Sequence, residues 1–136
     1  MNLEEAVRAL IEKGDRQLNA DDFKGAIRFH REAMELIPEP REESVVGLEA
    51  FVALGEAYFL AGRFEEAYGA LSFAVKCPGG VENPLVWLRL GQVLYDVGDR
   101  DGAAQKLAAA YVLGGEEVFA GEDERYMRFL GTRMEI

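Results

Sequence analysis

Hydrophobic residues recur three and four positions apart along nearly the whole chain, which is the spacing of one face of an α-helix. In the first segment Val7, Leu10 and Leu18 follow this period, and Asn2 with Glu5 three residues later is typical of a capping box. The alternation that marks a β-strand occurs only in short stretches that fit the helical period better. The pattern therefore predicts an all-α protein.

Proline and glycine divide this helical pattern into segments. Pro38 and Pro40 interrupt it once, because proline does not fit the interior of a helix. After them a longer helical stretch is predicted from about Arg41 to Leu60. Asn83 followed by Pro84 predicts a new helix start, with asparagine as N-cap and proline in the first turn. The segments are expected to form helix hairpins.

Three segments of the chain superimpose when the sequence is compared with itself. They start at Leu10, Phe51 and Trp87, and each repeats a glycine and an alanine at the same two points: Gly14 and Ala26, Gly55 and Ala67, Gly91 and Ala103. These positions fit the pattern W-x2-L-G-x2-Y, then A-x3-F, then P. Over nearly its whole length the chain resembles the tetratricopeptide-repeat (TPR) family.

The resemblance implies a fold in which the small residues let the two helices of each hairpin approach closely. Three TPR-like hairpins would stack as a short right-handed solenoid with a C-terminal capping helix. This implies one TPR domain over 1–136, with repeats at about 7–38, 44–78 and 84–115 and a cap helix at about 116–134. The extra residues at 38–44 form either a loop or an extension of the third helix. The apolar face of the tail either caps the stack or docks onto a partner or a second copy.

Charge and composition narrow the classes of partner. Fifteen Lys and Arg oppose 25 Asp and Glu, which gives a net charge of −10, and the basic residues are scattered beside acids. Such a chain is expected to repel nucleic acid and anionic membranes, since no local basic patch is evident. The single cysteine and a polar, acidic N-terminus predict a cytoplasmic protein without a secretory signal.

Candidate catalytic and metal-binding residues all have a simpler explanation. His30 is the only histidine and lies on an apolar helix face, so we expect it to pack in the core. Cys77 has no histidine near it in sequence, and Asp96, Asp99 and Asp101 lack the pattern of a calcium loop and suit a turn. The sequence therefore predicts a protein that is not an enzyme and has no cofactor or metal site.

In the TPR family the first helix of each hairpin lines a concave groove that holds a segment of another protein. The resemblance places the following residues in such a groove: Arg8, Glu12, Asp15, Asn19, Glu49, Val52, Glu56, Phe59, Leu88, Arg89, Gln92, Tyr95 and Asp96. Positions that grip a C-terminal carboxylate in the best-known TPR clamp hold Ile11, Asp15 and Ala53 here, which do not recreate that clamp.

These residues predict a protein–protein interaction module, a TPR scaffold or adaptor, with an acidic, aromatic-containing groove suited to a basic protein or peptide. The alternative is that the acids only keep the protein soluble and the aromatics belong to the core. The tail GGEEVFAGEDERYMRFL resembles small bacterial proteins found near toxin genes, which implies an immunity or neutralising role as another alternative. A self-associating structural subunit, such as a homodimer, is a third.

Overall fold

The computed structural model describes residues 1–136, and its regular structure is helical throughout. Seven α-helices follow one another: α1 (Leu3–Asn19), α2 (Phe23–Leu36), α3 (Gly47–Leu60), α4 (Phe64–Lys76), α5 (Pro84–Val97), α6 (Arg100–Gly114) and α7 (Glu124–Gly131). Two short 3₁₀ helices, Arg41–Glu43 and Glu116–Phe119, lie between them, and there is no strand. The prediction of an all-α protein built from helix hairpins is confirmed.

Side-chain caps fix several helix starts where the sequence places them. The Asn2 side chain accepts a hydrogen bond from the backbone N–H of Glu5 at 2.8 Å, which is one half of the predicted capping box. Asn83 caps α5 by accepting from the N–H of Leu85 at 2.9 Å, with Pro84 as the first helical residue. Local sequence is therefore sufficient to begin these two helices.

The chain forms two compact units, Met1–Val81 and Glu82–Ile136. The N-terminal unit contains α1 to α4 and the C-terminal unit contains α5 to α7. The first two predicted repeats fall in the N-terminal unit, and the third repeat falls with the tail in the C-terminal unit. The single domain over 1–136 stays a prediction.

Close approach of the helices in the N-terminal unit depends on small residues. Ala26 and Ala67 are completely buried, and a Cβ placed on Gly55 would lie 2.5 Å from Cγ of Leu71. The same relation holds in the first hairpin, where the His30 ring occupies the space that a Cβ on Gly14 would need. The expected nesting of α3 with α4 through Gly55 and Ala67 is confirmed.

The C-terminal unit has a core of its own. A Cβ on Gly91 of α5 would come within 2.6 Å of the Leu107 side chain of α6, and Ala103 is completely buried. The cluster around Leu107 also contains buried residues of the tail and of both helices: Leu88, Ala110, Phe119, Tyr126 and Leu130. The tail therefore packs against the third hairpin, as the capping alternative predicts.

The segment between the first two hairpins differs from the predicted helix at Arg41–Leu60. Only Arg41–Glu43 is helical before α3, and α3 itself starts at Gly47. The Arg41 guanidinium donates to the carbonyl of Ile37 at 2.9 Å, and Val46 is completely buried in the cluster that contains Ile37. This local bond and the burial of Val46 fold the inserted residues back onto the core, so the loop alternative is correct and α3 is not extended.

The tail is also less regular than a single helix over 116–134. It forms the 3₁₀ helix Glu116–Phe119, an irregular link and then the eight-residue α7. The link contains Gly121, whose φ of +83° lies in the left-handed region that glycine adopts without strain. This break lets the link and α7 reach different parts of α5.

Candidate functional site

The predicted groove residues of the N-terminal unit come from α1 and α3, and one ion pair joins the surfaces of the two helices. Arg8 of α1 donates from Nη2 to Oε1 of Glu49 at 2.9 Å and from Nε to Oε2 at 3.2 Å. About half of each side chain is exposed. This carboxylate and its hydrogen bonds raise the pKa of Arg8. Arg8 and Glu49 therefore share one surface of the unit.

Acidic and polar side chains continue along the same stripe of α1. Glu12, Asp15 and Asn19 follow Arg8 at spacings of four, three and four residues, and all three are exposed. Glu56 of α3 is half-buried two turns beyond Glu49. We call the set Glu12, Asp15, Asn19, Glu49 and Glu56 the acidic face.

The apolar residues predicted for the groove contribute little to this surface. Val52 is only 9% exposed and belongs to the core of the unit, because α3 is packed on several sides. Phe59 is half-buried, with its ring centroid 5.8 Å from that of Phe64 at the start of α4. Val52 is therefore a core residue, and Phe59 offers a partner only an edge.

Asp15 has a second role, which the sequence analysis missed. Its Oδ1 atom lies 3.2 Å from Nε2 of the completely buried His30, and that nitrogen is also 3.3 Å from the carbonyl oxygen of Ile11. Both neighbours of Nε2 are acceptors, so Nε2 carries the proton. His30 Nδ1 is buried without a hydrogen-bond partner. His30 therefore joins α2 to α1 in the core, and it is a packing residue as expected.

In the C-terminal unit the tail covers the predicted groove residues of α5. Arg89 and Gln92 both donate to Oε1 of Glu122, each at 2.7 Å, and Arg89 also donates to Gln92 at 3.0 Å. Gln92 is 1% exposed. The carboxylate of Glu122, from the irregular link, thus lies beside Arg89 and Gln92 on the predicted groove side of α5.

The last two predicted residues of α5 contact the start of α7. Asp96 accepts from the Tyr126 hydroxyl at 3.1 Å and pairs with Arg125, also at 3.1 Å, while the Tyr95 ring packs edge-on against Tyr126 and Phe129. Burial raises the pKa of the Tyr126 phenol to about 12, and Asp96 adds to the shift although the hydrogen bond from Arg125 opposes it. These groups form a polar cluster in which Tyr126 is buried and Arg125 is about half exposed.

The remaining predicted residue, Leu88, is completely buried and is part of the cluster with Tyr126 and Leu130. Leu88 and Gln92 are therefore internal residues in this structure, because residues about 30 positions later cover them. The sequence analysis did not single out Glu122 and Arg125 as their partners. The run of charged residues in GEDER at 121–125, three acids followed by Arg125, is the only sequence signal for these contacts.

Other reactive groups do not combine into a site. No group of three or more His, Cys, Asp and Glu residues is placed to hold a metal ion. Cys77 is buried, and burial raises the pKa of its thiol. No helix has both the length and the apolar character needed to cross a membrane.

Comparison with solved structures identifies the fold. The chain matches the TPR domain of Arabidopsis OM64 with a TM-score of 0.78 and 18% identity, covering 98% of this chain and 100% of that one. It matches the second TPR domain of human RPAP3, in complex with an HSP70 peptide, with a TM-score of 0.73, 13% identity and coverages of 96% and 97%. The chain therefore has the TPR fold, as its repeat pattern predicts.

A bacterial protein is also among the similar structures. The Yersinia enterocolitica type III secretion chaperone SycD, in complex with a peptide of the translocator YopD, matches with a TM-score of 0.70 and 16% identity, covering 94% of this chain and 92% of that one. By sequence, no family model and no curated protein matches the chain.

Proposed function

We propose that this protein is a non-enzymatic protein–protein interaction module whose acidic face binds a basic peptide or protein segment. The observation that carries the proposal is the exposed stripe of Glu12, Asp15 and Asn19 on α1, aligned with α3 by the Arg8–Glu49 ion pair. Carboxylates grouped on one surface attract a cationic segment and raise its association rate.

The similar structures support a peptide as the kind of partner. The RPAP3 domain and SycD are both described in complex with peptides. The chemistry of the surface differs here from a carboxylate clamp, because Ile11, Asp15 and Ala53 stand at the clamp positions. A segment rich in Lys or Arg complements this surface, whereas an acidic C-terminal tail does not.

The covered state of α5 limits the proposed site to the N-terminal unit. Arg89, Gln92 and Asp96 already bind Glu122, Arg125 and Tyr126 of the tail. A partner that used these residues would have to displace hydrogen bonds to Glu122 and Tyr126 that are partly buried. On α1, by contrast, Glu12 and Asn19 are exposed, and the Arg8–Glu49 ion pair between α1 and α3 is about half exposed to water.

The test measures how tightly the full-length chain binds a fluorescent peptide. In this peptide Arg alternates with Ala. Glu12→Lys changes the charge of the acidic face, and Glu117→Lys makes the same change on an exposed residue of the C-terminal unit. We expect Glu12→Lys to weaken binding by about tenfold, a typical loss for a charge-assisted contact, and Glu117→Lys to weaken it by less than about twofold.

Salt provides the second arm of the test. The screening length falls from about 10 Å at 0.1 M salt to about 3 Å at 1 M, so binding on the acidic face should weaken steeply over this range. Equal effects of the two substitutions would show attraction by net charge rather than by this face. That result, or affinity that does not change with salt, would refute the proposed site.

A further inference from the structure

A cluster of cations lies on another surface of the N-terminal unit, around an open cleft of about 520 Å³. The cleft is lined by residues of α2 and by Arg63, which follows the turn after α3: Lys24, Ile27, Arg28, Arg31, Glu32, Glu35 and Arg63. The sequence analysis found no basic patch in this acidic chain, and the structure corrects that statement. Four of the fifteen basic residues converge here.

The periodicity of α2 accounts for most of the cluster. Lys24, Arg28 and Arg31 are four and three residues apart and therefore lie on one face of the helix. The opposite face of α2 is fixed in the core by Ala26 and Ala33, which are completely buried. The three cations consequently point away from the core, and all of them are exposed.

Arg63 is more than thirty residues from the cations of α2 in sequence. It lies beside them because α2 packs against α3, and Arg63 follows α3. Its guanidinium lies 5.0 Å from the Tyr58 ring centroid and donates from Nε to Glu66 at 2.7 Å. This contact lowers the pKa of Glu66. Arg63 is thus held in place at the edge of the cleft, with part of its charge already balanced by Glu66.

The cations of α2 have fewer charged or polar partners than Arg63 has. Lys24, Arg28 and Arg31 have no carboxylate within ion-pair distance, and Arg28 has only the ring of Phe29 5.1 Å away. Glu32 and Glu35 lie four residues after Arg28 and Arg31 on the exposed helix. Neither glutamate forms an ion pair with these arginines, so an incoming carboxylate has no salt bridge to displace.

We propose that this cleft binds a short acidic segment of a partner protein, with carboxylates held by Arg28 and Arg31 and supported by Lys24. The two parallel N–H donors of each guanidinium match the two oxygens of a carboxylate. Because Arg63 is already paired with Glu66, the three cations of α2 exceed Glu32 and Glu35 by one charge, which suits a short segment with one or two carboxylates.

Nucleic acid fits this surface less well. Its backbone carries a charge every 3.4 Å or so along each strand, and a bound strand would extend well past the cleft. Beyond the cleft the strand would meet a protein with a net charge of −10, and Glu32 and Glu35 stand within the cleft itself. This proposed site is independent of the acidic face, because it consists of different residues and binds a negatively charged segment instead of a positively charged one.

The test compares two variants with the same change in charge. Arg28→Gln with Arg31→Gln removes two cations from the cleft, and Lys13→Gln with Arg16→Gln removes two exposed cations from α1. The probe is a fluorescent peptide in which Glu alternates with Ala, and the same peptide with Gln in place of Glu is the neutral control. Circular dichroism of each full-length variant establishes that it is folded.

At low salt we expect the cleft variant to bind the Glu peptide at least about tenfold more weakly than the unmodified chain, with less than about a twofold change for the α1 variant. The Gln peptide should not bind. Equal weakening by both variants, or equal binding of the Gln peptide, would overturn the proposal.

Two further arms distinguish other occupants. A single-stranded oligonucleotide that binds more tightly than the Glu peptide, and loses affinity in the cleft variant, would assign the cleft to nucleic acid. Sedimentation that shows self-association of the unmodified chain, abolished only in the cleft variant, would assign it to a second copy. Either result would replace the acidic partner segment as the occupant.

Discussion

The side-chain nitrogen of Gln92 donates a hydrogen bond to Oε1 of Glu122 over 2.7 Å, and it joins the first helix of the third hairpin to the tail. The amide is almost completely buried, so this acceptor replaces the water that it would otherwise bind. Glu122 also balances the charge of Arg89. The tail therefore supplies hydrogen-bond partners to α5 and also buries apolar side chains of that helix.

Removal of this acceptor should destabilise the C-terminal unit. We expect Glu122→Ala to lower the free energy of unfolding by about 1–3 kcal/mol, because it leaves the buried Gln92 amide without its partner. Glu117→Ala, at an exposed residue of the same tail, should have an effect within about 0.5 kcal/mol. Urea unfolding followed by the fluorescence of Trp87, the only tryptophan, measures both. Similar losses in the two variants would contradict this role of Glu122.

Two glycine substitutions should have opposite effects on stability, because Gly91 lies in the close contact of α5 with α6 whereas Gly69 of α4 faces open space. Gly91→Ala places a Cβ 2.6 Å from the Leu107 side chain, and overpacking of this kind costs about 1–3 kcal/mol. Gly69→Ala in α4 meets nothing within 4 Å, so the higher helix propensity of alanine should stabilise the protein by about 0.5–1 kcal/mol. Thermal unfolding followed by circular dichroism checks both signs. A stabilising Gly91→Ala would show that the two helices are not in close contact there.

The environment of Tyr126 predicts a loss of stability at alkaline pH. Burial raises the pKa of its phenol from 10.0 to about 12, so between these values the folded protein keeps a proton that the unfolded chain releases. The free energy of unfolding should therefore fall as the pH rises from 10 to 12. Tyrosinate absorbance should include a component near pH 12 that is missing in Tyr126→Phe. A titration identical in both proteins would rule out the shift.

Cys77 should react slowly in the native protein. Its side chain is buried, and burial raises the pKa of the thiol, so both access and the thiolate fraction are reduced. At mildly alkaline pH we expect a thiol-specific disulfide reagent to modify native Cys77 at least about tenfold more slowly than the same thiol in guanidinium chloride. Equal rates under the two conditions would show that the thiol is accessible in the folded state.

Local sequence determined the helical class of the chain and the small-residue contacts within each hairpin, although not the bounds of α3 or of the tail helix. The caps at Asn2 and Asn83 and the glycines at 55 and 91 act over a few residues or between neighbouring helices, so a repeat pattern is enough to predict them. Glu12 and Asp15, which the resemblance to TPR proteins assigns to a groove, are exposed on α1. These features depend on the spacing of residue types along a helix, which can be read from one chain.

Tertiary structure decided which predicted groove residues remain accessible. Leu88 and Gln92 lie on the predicted face of α5, but their burial depends on a tail that begins more than twenty residues later and breaks at Gly121. The meeting of Arg63 with the cations of α2 likewise requires α2 to pack against α3. Helix periodicity fixes the direction of a side chain, whereas its exposure and its charged neighbours depend on what distant segments place against it.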